Sequence, residues 1–188
     1  LFEPQFPSQT TITIQERNGN KIDKEVNIYY HETLEIDIAV IEIIDKHQIL
    51  PKHPVSYHRN GYKYSDDVNF LGFPLGMELH MKNSDVIIPF VKRGIISGFA
   101  DIGNIQVIYI DGINNQGFSG GPVFTTDLQH NIDVIGVISG YRYRKSPIVD
   151  GENNELENMF FCENTGIITV FSMLHVFEII EAIPPQSL

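Results

Sequence analysis

Short runs of alternating apolar and polar residues dominate the chain and predict strands. Thr10 to Gln15 (TTITIQ) and Ile22 to Tyr30 (IDKEVNIYY) alternate, and Asn18-Gly19-Asn20 between them is a hairpin turn signal. In Ile36 to Ile44 (IDIAVIEII), a strand period puts Ile36, Ile38 and Val40 on one face and Asp37, Ala39 and Ile41 on the other. Val68 to Met77, Ile87 to Phe99, Ile105 to Ile110, Val134 to Tyr141 and Thr165 to Val170 extend the strand-like series. Phe171 to Ile183 (FSMLHVFEIIEAI) changes period. Apolar residues at 173, 174, 177, 180 and 183 form a helical stripe, Ser172 is placed as N-cap, and Pro184-Pro185 ends it. The pattern predicts an all-β fold closed by one C-terminal helix.

Between these runs, Leu1 to Gln9 reads as an extended lead-in and Asp45 to Asp67 as a connection. Arg142 to Asn158 reads as a charged surface excursion, its basic half preceding its acidic half. Composition narrows the function classes. Thirteen Lys and Arg against 24 Asp and Glu leave a net charge of −11, which argues against nucleic acid or an anionic membrane as partner. No apolar run approaches membrane-spanning length. The single cysteine, Cys162, excludes an internal disulfide, so a reducing, cytoplasmic setting is expected. Its neighbours Phe160 and Phe161 suggest that Cys162 is buried. His47, His53 and His58 are irregularly spaced and lack a cysteine or HExxH partner, so neither a metal nor a cofactor is expected.

The densest chemical signal is Gly112 to Phe124 (GINNQGFSGGPVF). Glycines on both sides of Ser119 let the backbone turn sharply and aim amides at one point, as stabilising an oxyanion requires. Gly112-x4-Gly117 begins like a P-loop, but Phe118 stands where the lysine belongs. Gly117-x-Ser119-x-Gly121 also fits the nucleophile elbow of α/β-hydrolases, with Asp133 and His175 as later partners. That elbow must enter a helix, whereas Val123-Phe124-Thr125-Thr126 is β-type sequence. A glycine-rich turn carrying an incidental serine is the bland alternative.

Gly117-Phe118-Ser119-Gly120-Gly121-Pro122 resembles the nucleophile segment of the trypsin-like (chymotrypsin-fold) serine peptidases. Asp37-Ile38-Ala39-Val40 resembles the family string that carries the aspartate orienting the catalytic histidine. Gly72-Phe73-Pro74-x-Gly76, Arg93 to Gly98 and Val134 to Tyr141 also resemble family segments. The resemblance implies two six-stranded antiparallel barrels in one domain over 1–188. Residues 1–50 would be the remainder of an incomplete N-terminal barrel, 51–67 the connection, 68–171 the C-terminal barrel and 172–183 the helix. It further implies Ser119 as nucleophile, Asp37 as orienting acid, and the amides of Gly117 and Ser119 as oxyanion hole. Ile113 would floor the primary pocket, favouring an apolar side chain before the cut. Gly166 would form the pocket's wall, near Asp111, and Ser139 and Gly140 the ledge on which a substrate peptide pairs.

The family's T-x-x-H string is missing before Asp37. The only earlier histidine is His31, read as an exposed strand-end residue. The base is therefore expected upstream of Leu1, in a parent chain that could hold further domains. A base from another polypeptide, or an inactive peptide-binding scaffold, are the alternatives. The expected partner is a peptide or protein substrate.

Overall fold

The computed structural model describes residues 7–16, 19–44, 55–57, 62–83, 85–127 and 131–184. Alternation translates directly into strands. β1 (Ser8–Gln15) and β2 (Lys21–Tyr30) pair antiparallel across the predicted turn, with Gln15 opposite Lys21. Gly19 at φ +89° closes that turn, and the Glu16 amide donates to the Asn20 carbonyl. β3 (Ala39–Ile43) adds to β2, completing a three-stranded sheet. This strand is shorter than expected. Ile36 and Ile38 are buried as the pattern requires, but their segment is a bend rather than a strand. Among the described residues the N-terminal half is an open sheet.

The second half closes. β5 (Asp67–Gly72), β8 (Phe90–Ile102), β9 (Ile105–Asp111), β12 (Glu155–Ser172), β11 (Ile132–Val149) and β10 (Pro122–Thr126) pair in that order, and β10 pairs with both β11 and β5. The result is a six-stranded antiparallel barrel. Closure removes sheet edges, and inward residues fill the interior. β5 shows the logic: Val68, Phe70 and Gly72 are buried while the residues between them are less so. The barrel core gathers Val68, Phe70, Ile96, Ile108, Ile110, Phe118, Val123, Ile135, Ile138, Ile168 and Val170. β4 (Val55–Tyr57), inside the expected connection, pairs parallel with the start of β11. β6 (Leu79–His80) and β7 (Ile87–Ile88) form a small separate ribbon.

β11 and β12 run on past the barrel as a two-stranded ribbon, from Tyr143 opposite Asn164 to Val149 opposite Glu155. Among the described residues no third strand or helix covers it, and Phe160 (58% exposed), Phe161 and Cys162 are all exposed. The expectation of a buried Cys162 is thus corrected. Local apolar sequence signals burial only where a second layer exists to receive it.

Helix α1 (Met173–Ala182) follows β12, with the Ser172 hydroxyl accepting from the Leu174 amide as N-cap. It packs Ile179 and Ile183 into a second cluster with Tyr29, Ile36, Ile38, Val107 and Phe171. The helix therefore ties the N-terminal sheet to the barrel wall. Its buried face is rotated from the predicted stripe: His175 is fully buried and Ile180 is partly exposed. No helix among the described residues is long and apolar enough to cross a membrane.

Candidate active site

Ser119 is exposed on the turn between β9 and β10, and the chain around it is held from three sides. From below, Phe118 is fully buried and meets Phe70 edge-on, ring centroids 5.4 Å apart. Gly72 has no side chain because a Cβ there would come within 2.5 Å of the Phe118 ring. From one side, the Phe73 amide donates to the Gly117 carbonyl (2.8 Å) and the Leu75 amide to that of Gln116 (2.9 Å). From the other, the Gly120 amide donates to the Ile138 carbonyl, and the Ile138 amide donates back to Gly121. A buried phenyl thus anchors the loop while backbone bonds set its path.

Two glycines meet needs no other residue could. Gly117 has φ +98°, and a Cβ on it would lie 2.0 Å from the Phe73 carbonyl oxygen. A Cβ on Gly121 would lie equally close to the Leu71 carbonyl oxygen. Among the described residues, the amides of Gly117 and Ser119 donate to no backbone or side-chain acceptor, whereas those of Phe118, Gly120 and Gly121 all do. Two unspent N–H groups, one of Ser119 itself and one two residues before it, are what charge stabilisation at a tetrahedral carbon needs.

Among the described residues, the β10 side of β11 is unpaired beyond Ile138. Ser139 is the extra residue of a bulge between Ile138 and Gly140, and is exposed. Gly140 has open space where a side chain would be. Gly166, at φ +75°, accepts from the Gly112 amide, and Asp111 Oδ1 lies 4.0 Å from its Cβ position. Ile113 is 66% exposed, while its neighbour Asn114 is wholly buried and its side-chain oxygen and nitrogen are both without a hydrogen-bond partner.

Asp37 is exposed between buried Ile36 and Ile38. Its carboxylate and the Ser119 hydroxyl have no side-chain hydrogen-bond partner among the described residues, and no described histidine joins them. His80 is exposed beside Glu78, and His175, the base an α/β-hydrolase reading would use, is fully buried on the inner face of α1. His31 is buried against α1 rather than exposed, which corrects the sequence expectation. His47, His53, His58 and His130 lie outside the described residues. The strand-turn-strand setting of Ser119 also removes the nucleophile elbow, because β10 and not a helix follows it.

Two supports of the loop were not legible in the sequence. Lys92 donates to the Ile113 carbonyl and to Asn115 Oδ1, both at 2.8 Å, and its ammonium lies 5.1 Å from the Phe118 ring centroid. Asn164 spans the pocket side, donating to the Asn114 carbonyl and accepting from the Gly166 amide. A strand lysine and a strand asparagine signal nothing by type; only the fold brings them to this loop.

The trypsin-like peptidase domain family matches residues 6–137, which include β1 to β3, the Asp37 segment and the whole Ser119 loop. The chain belongs to that family. Among solved structures, this peptidase domain is similar to Rv3671c from M. tuberculosis H37Rv, crystallised as a serine-to-alanine mutant in an inactive form. Identity is 19% and the TM-score 0.48, over 86% of this chain and 66% of that one. The peptidase domain thus spans just under two thirds of that relative's chain. The search of curated proteins returned no match.

Proposed function

We propose that this domain is a serine endopeptidase that cleaves peptide bonds through an acyl-enzyme on Ser119. The observation that carries the reading is the pair of unspent amides, Gly117 and Ser119, on the held loop that exposes the Ser119 hydroxyl. In the proposed reaction a general base removes the hydroxyl proton as Ser119 Oγ bonds to the scissile carbonyl carbon. The two amides take the oxyanion, and collapse breaks the C–N bond while the base returns its proton to the departing amine. Water, deprotonated by the same base, then releases the acyl group. Asp37 would orient that base, and the open edge at Ser139–Gly140 would pair with the substrate backbone.

The base is proposed to come from outside these 188 residues. Supporting this among the described histidines, His31 and His175 are each hydrogen-bonded through both ring nitrogens elsewhere, and His80 lies beside Glu78. Ile113 at the pocket floor would favour an apolar side chain before the cut, with Asp111 close to Gly166 on the pocket wall. The test is intact-mass labelling with a fluorophosphonate, on this chain and on any longer parent, with Ser119→Ala as control. Labelling that requires Ser119 supports the peptidase. No labelling of either, together with peptide binding that Gly140→Pro abolishes, would instead establish the scaffold reading, which the lack of a described histidine at Ser119 favours.

A further inference from the structure

His31, His175 and Glu178 converge where the N-terminal sheet meets α1. Glu178 Oε2 lies 3.0 Å from His31 Nε2 and 2.7 Å from His175 Nδ1, and the imidazoles meet edge-on with centroids 5.5 Å apart. These three ligand-type atoms all fall within 4.8 Å of one another, a spacing that could suit a metal ion. The outer ring nitrogens decide otherwise. His31 Nδ1 accepts the Thr33 amide at 3.0 Å, and His175 Nε2 accepts the Gln106 amide at 2.9 Å. An imidazole that accepts at one nitrogen carries its hydrogen on the other. A metal-bound imidazole needs the reverse, a lone pair toward the ion and an outward N–H, and that N–H would here face a backbone N–H.

We propose that the three residues form a metal-free clamp in which two neutral imidazoles of opposite tautomer donate to one carboxylate oxygen, positioning the segment that carries Asp37. His31 opens that segment, its amide donates to the Ile38 carbonyl, and Ile36 and Ile38 pack beside Ile179 and Ile183. His175 and Glu178 belong to α1, and the Gln106 amide to β9. The clamp therefore joins the Asp37 segment, the helix and the barrel wall through directional bonds, where the apolar contacts alone would permit sliding. Among the described residues the ionisable groups bonded to Glu178 are these two histidines; β9 contributes an uncharged amide and β12 the Phe171 ring against His175. His31 and His175 act here as positioning residues. That the clamp matters to catalysis rests on Asp37 having the role proposed above; its existence does not.

Imidazole 15N NMR of the whole chain at pH 7 tests it. The expected result is His31 protonated at Nε2, His175 protonated at Nδ1, and neither resonance moved by one equivalent of Zn2+. In Glu178→Ala, the Thr33 and Gln106 amides should exchange about tenfold faster and the amides of residues 31–38 should shift, with the Ser119 loop unmoved. Glu178→Gln, whose side-chain oxygen still accepts, should restore both tautomers. Zn2+ bound one-to-one through both imidazoles, a shared tautomer, or an unshifted Asp37 amide in Glu178→Ala would each overturn the proposal. Should Glu178→Ala not fold, the wild-type tautomers and Glu178→Gln decide it. Fluorophosphonate labelling reads the catalytic assignment separately, so failure of one leaves the other standing.

Discussion

Replacing Gly117 by alanine should damage the molecule far more than its exposed position suggests. Three costs come from the structure. At φ +98° an L-residue with a Cβ pays about 1–2 kcal/mol for a conformation glycine adopts freely. The new Cβ would lie 2.0 Å from the Phe73 carbonyl oxygen, which is backbone and cannot swing aside. Relief means parting the loop from the Phe73–Leu75 turn, losing the Phe73–Gly117 and Leu75–Gln116 hydrogen bonds at about 0.5–1.5 kcal/mol each. Together the loss is about 2–5 kcal/mol. In urea unfolding this lowers the midpoint by about 1–2 M at an unchanged slope. Gly140→Ala is the internal control: nothing lies within 4 Å of its Cβ position and its φ is not positive, so its unfolding free energy should hold within about 0.5 kcal/mol. If Gly117→Ala unfolds at the wild-type urea concentration, the loop does not pass over the Phe73 carbonyl and the oxyanion-hole geometry falls with it.

Ser119→Ala should abolish fluorophosphonate labelling yet leave the urea midpoint unchanged, since its hydroxyl is exposed and bonded to nothing described. Ser172→Ala removes the N-cap of α1 and should cost about 1 kcal/mol, lowering Tm by about 2–4 °C by calorimetry. Burial pushes the Glu178 carboxyl up, but hydrogen bonds from His31 and His175 outweigh it and hold the group below its ordinary value near 4.5. A depressed carboxyl contributes stability that is present above the unfolded value and lost as pH falls through the folded one. The Tm advantage of wild type over Glu178→Gln should therefore be full at pH 6 and shrink below pH 4.5. A constant difference down to pH 3 would refute it.

Strands were readable because a buried face repeats every second residue, and β5 shows that repeat unbroken. The N-cap at Ser172 was readable for a similar reason: its hydroxyl bonds an amide two residues on. Ser119 stood out because only glycine tolerates the backbone on either side of it. Burial by contact between distant segments was not readable. Ile36 and Ile38 kept their strand-like burial in a bend, because Ile179 and Ile183 lie against them rather than because a strand forms. The helix face turned toward His175 because the Gln106 amide, 69 positions earlier, offers that imidazole a hydrogen bond. Phe160 and Phe161 were exposed because their strand outran the barrel. The roles of Lys92 and His31 were not legible, since the Ile113 carbonyl, the Asn115 side chain and the Glu178 carboxylate they bond are reached only through folding. Local sequence thus determined periodicity, turns and the nucleophile loop, whose causes lie within a few residues. Tertiary structure alone decided which polar groups meet, because that depends on side chains far apart in sequence sharing one desolvated place.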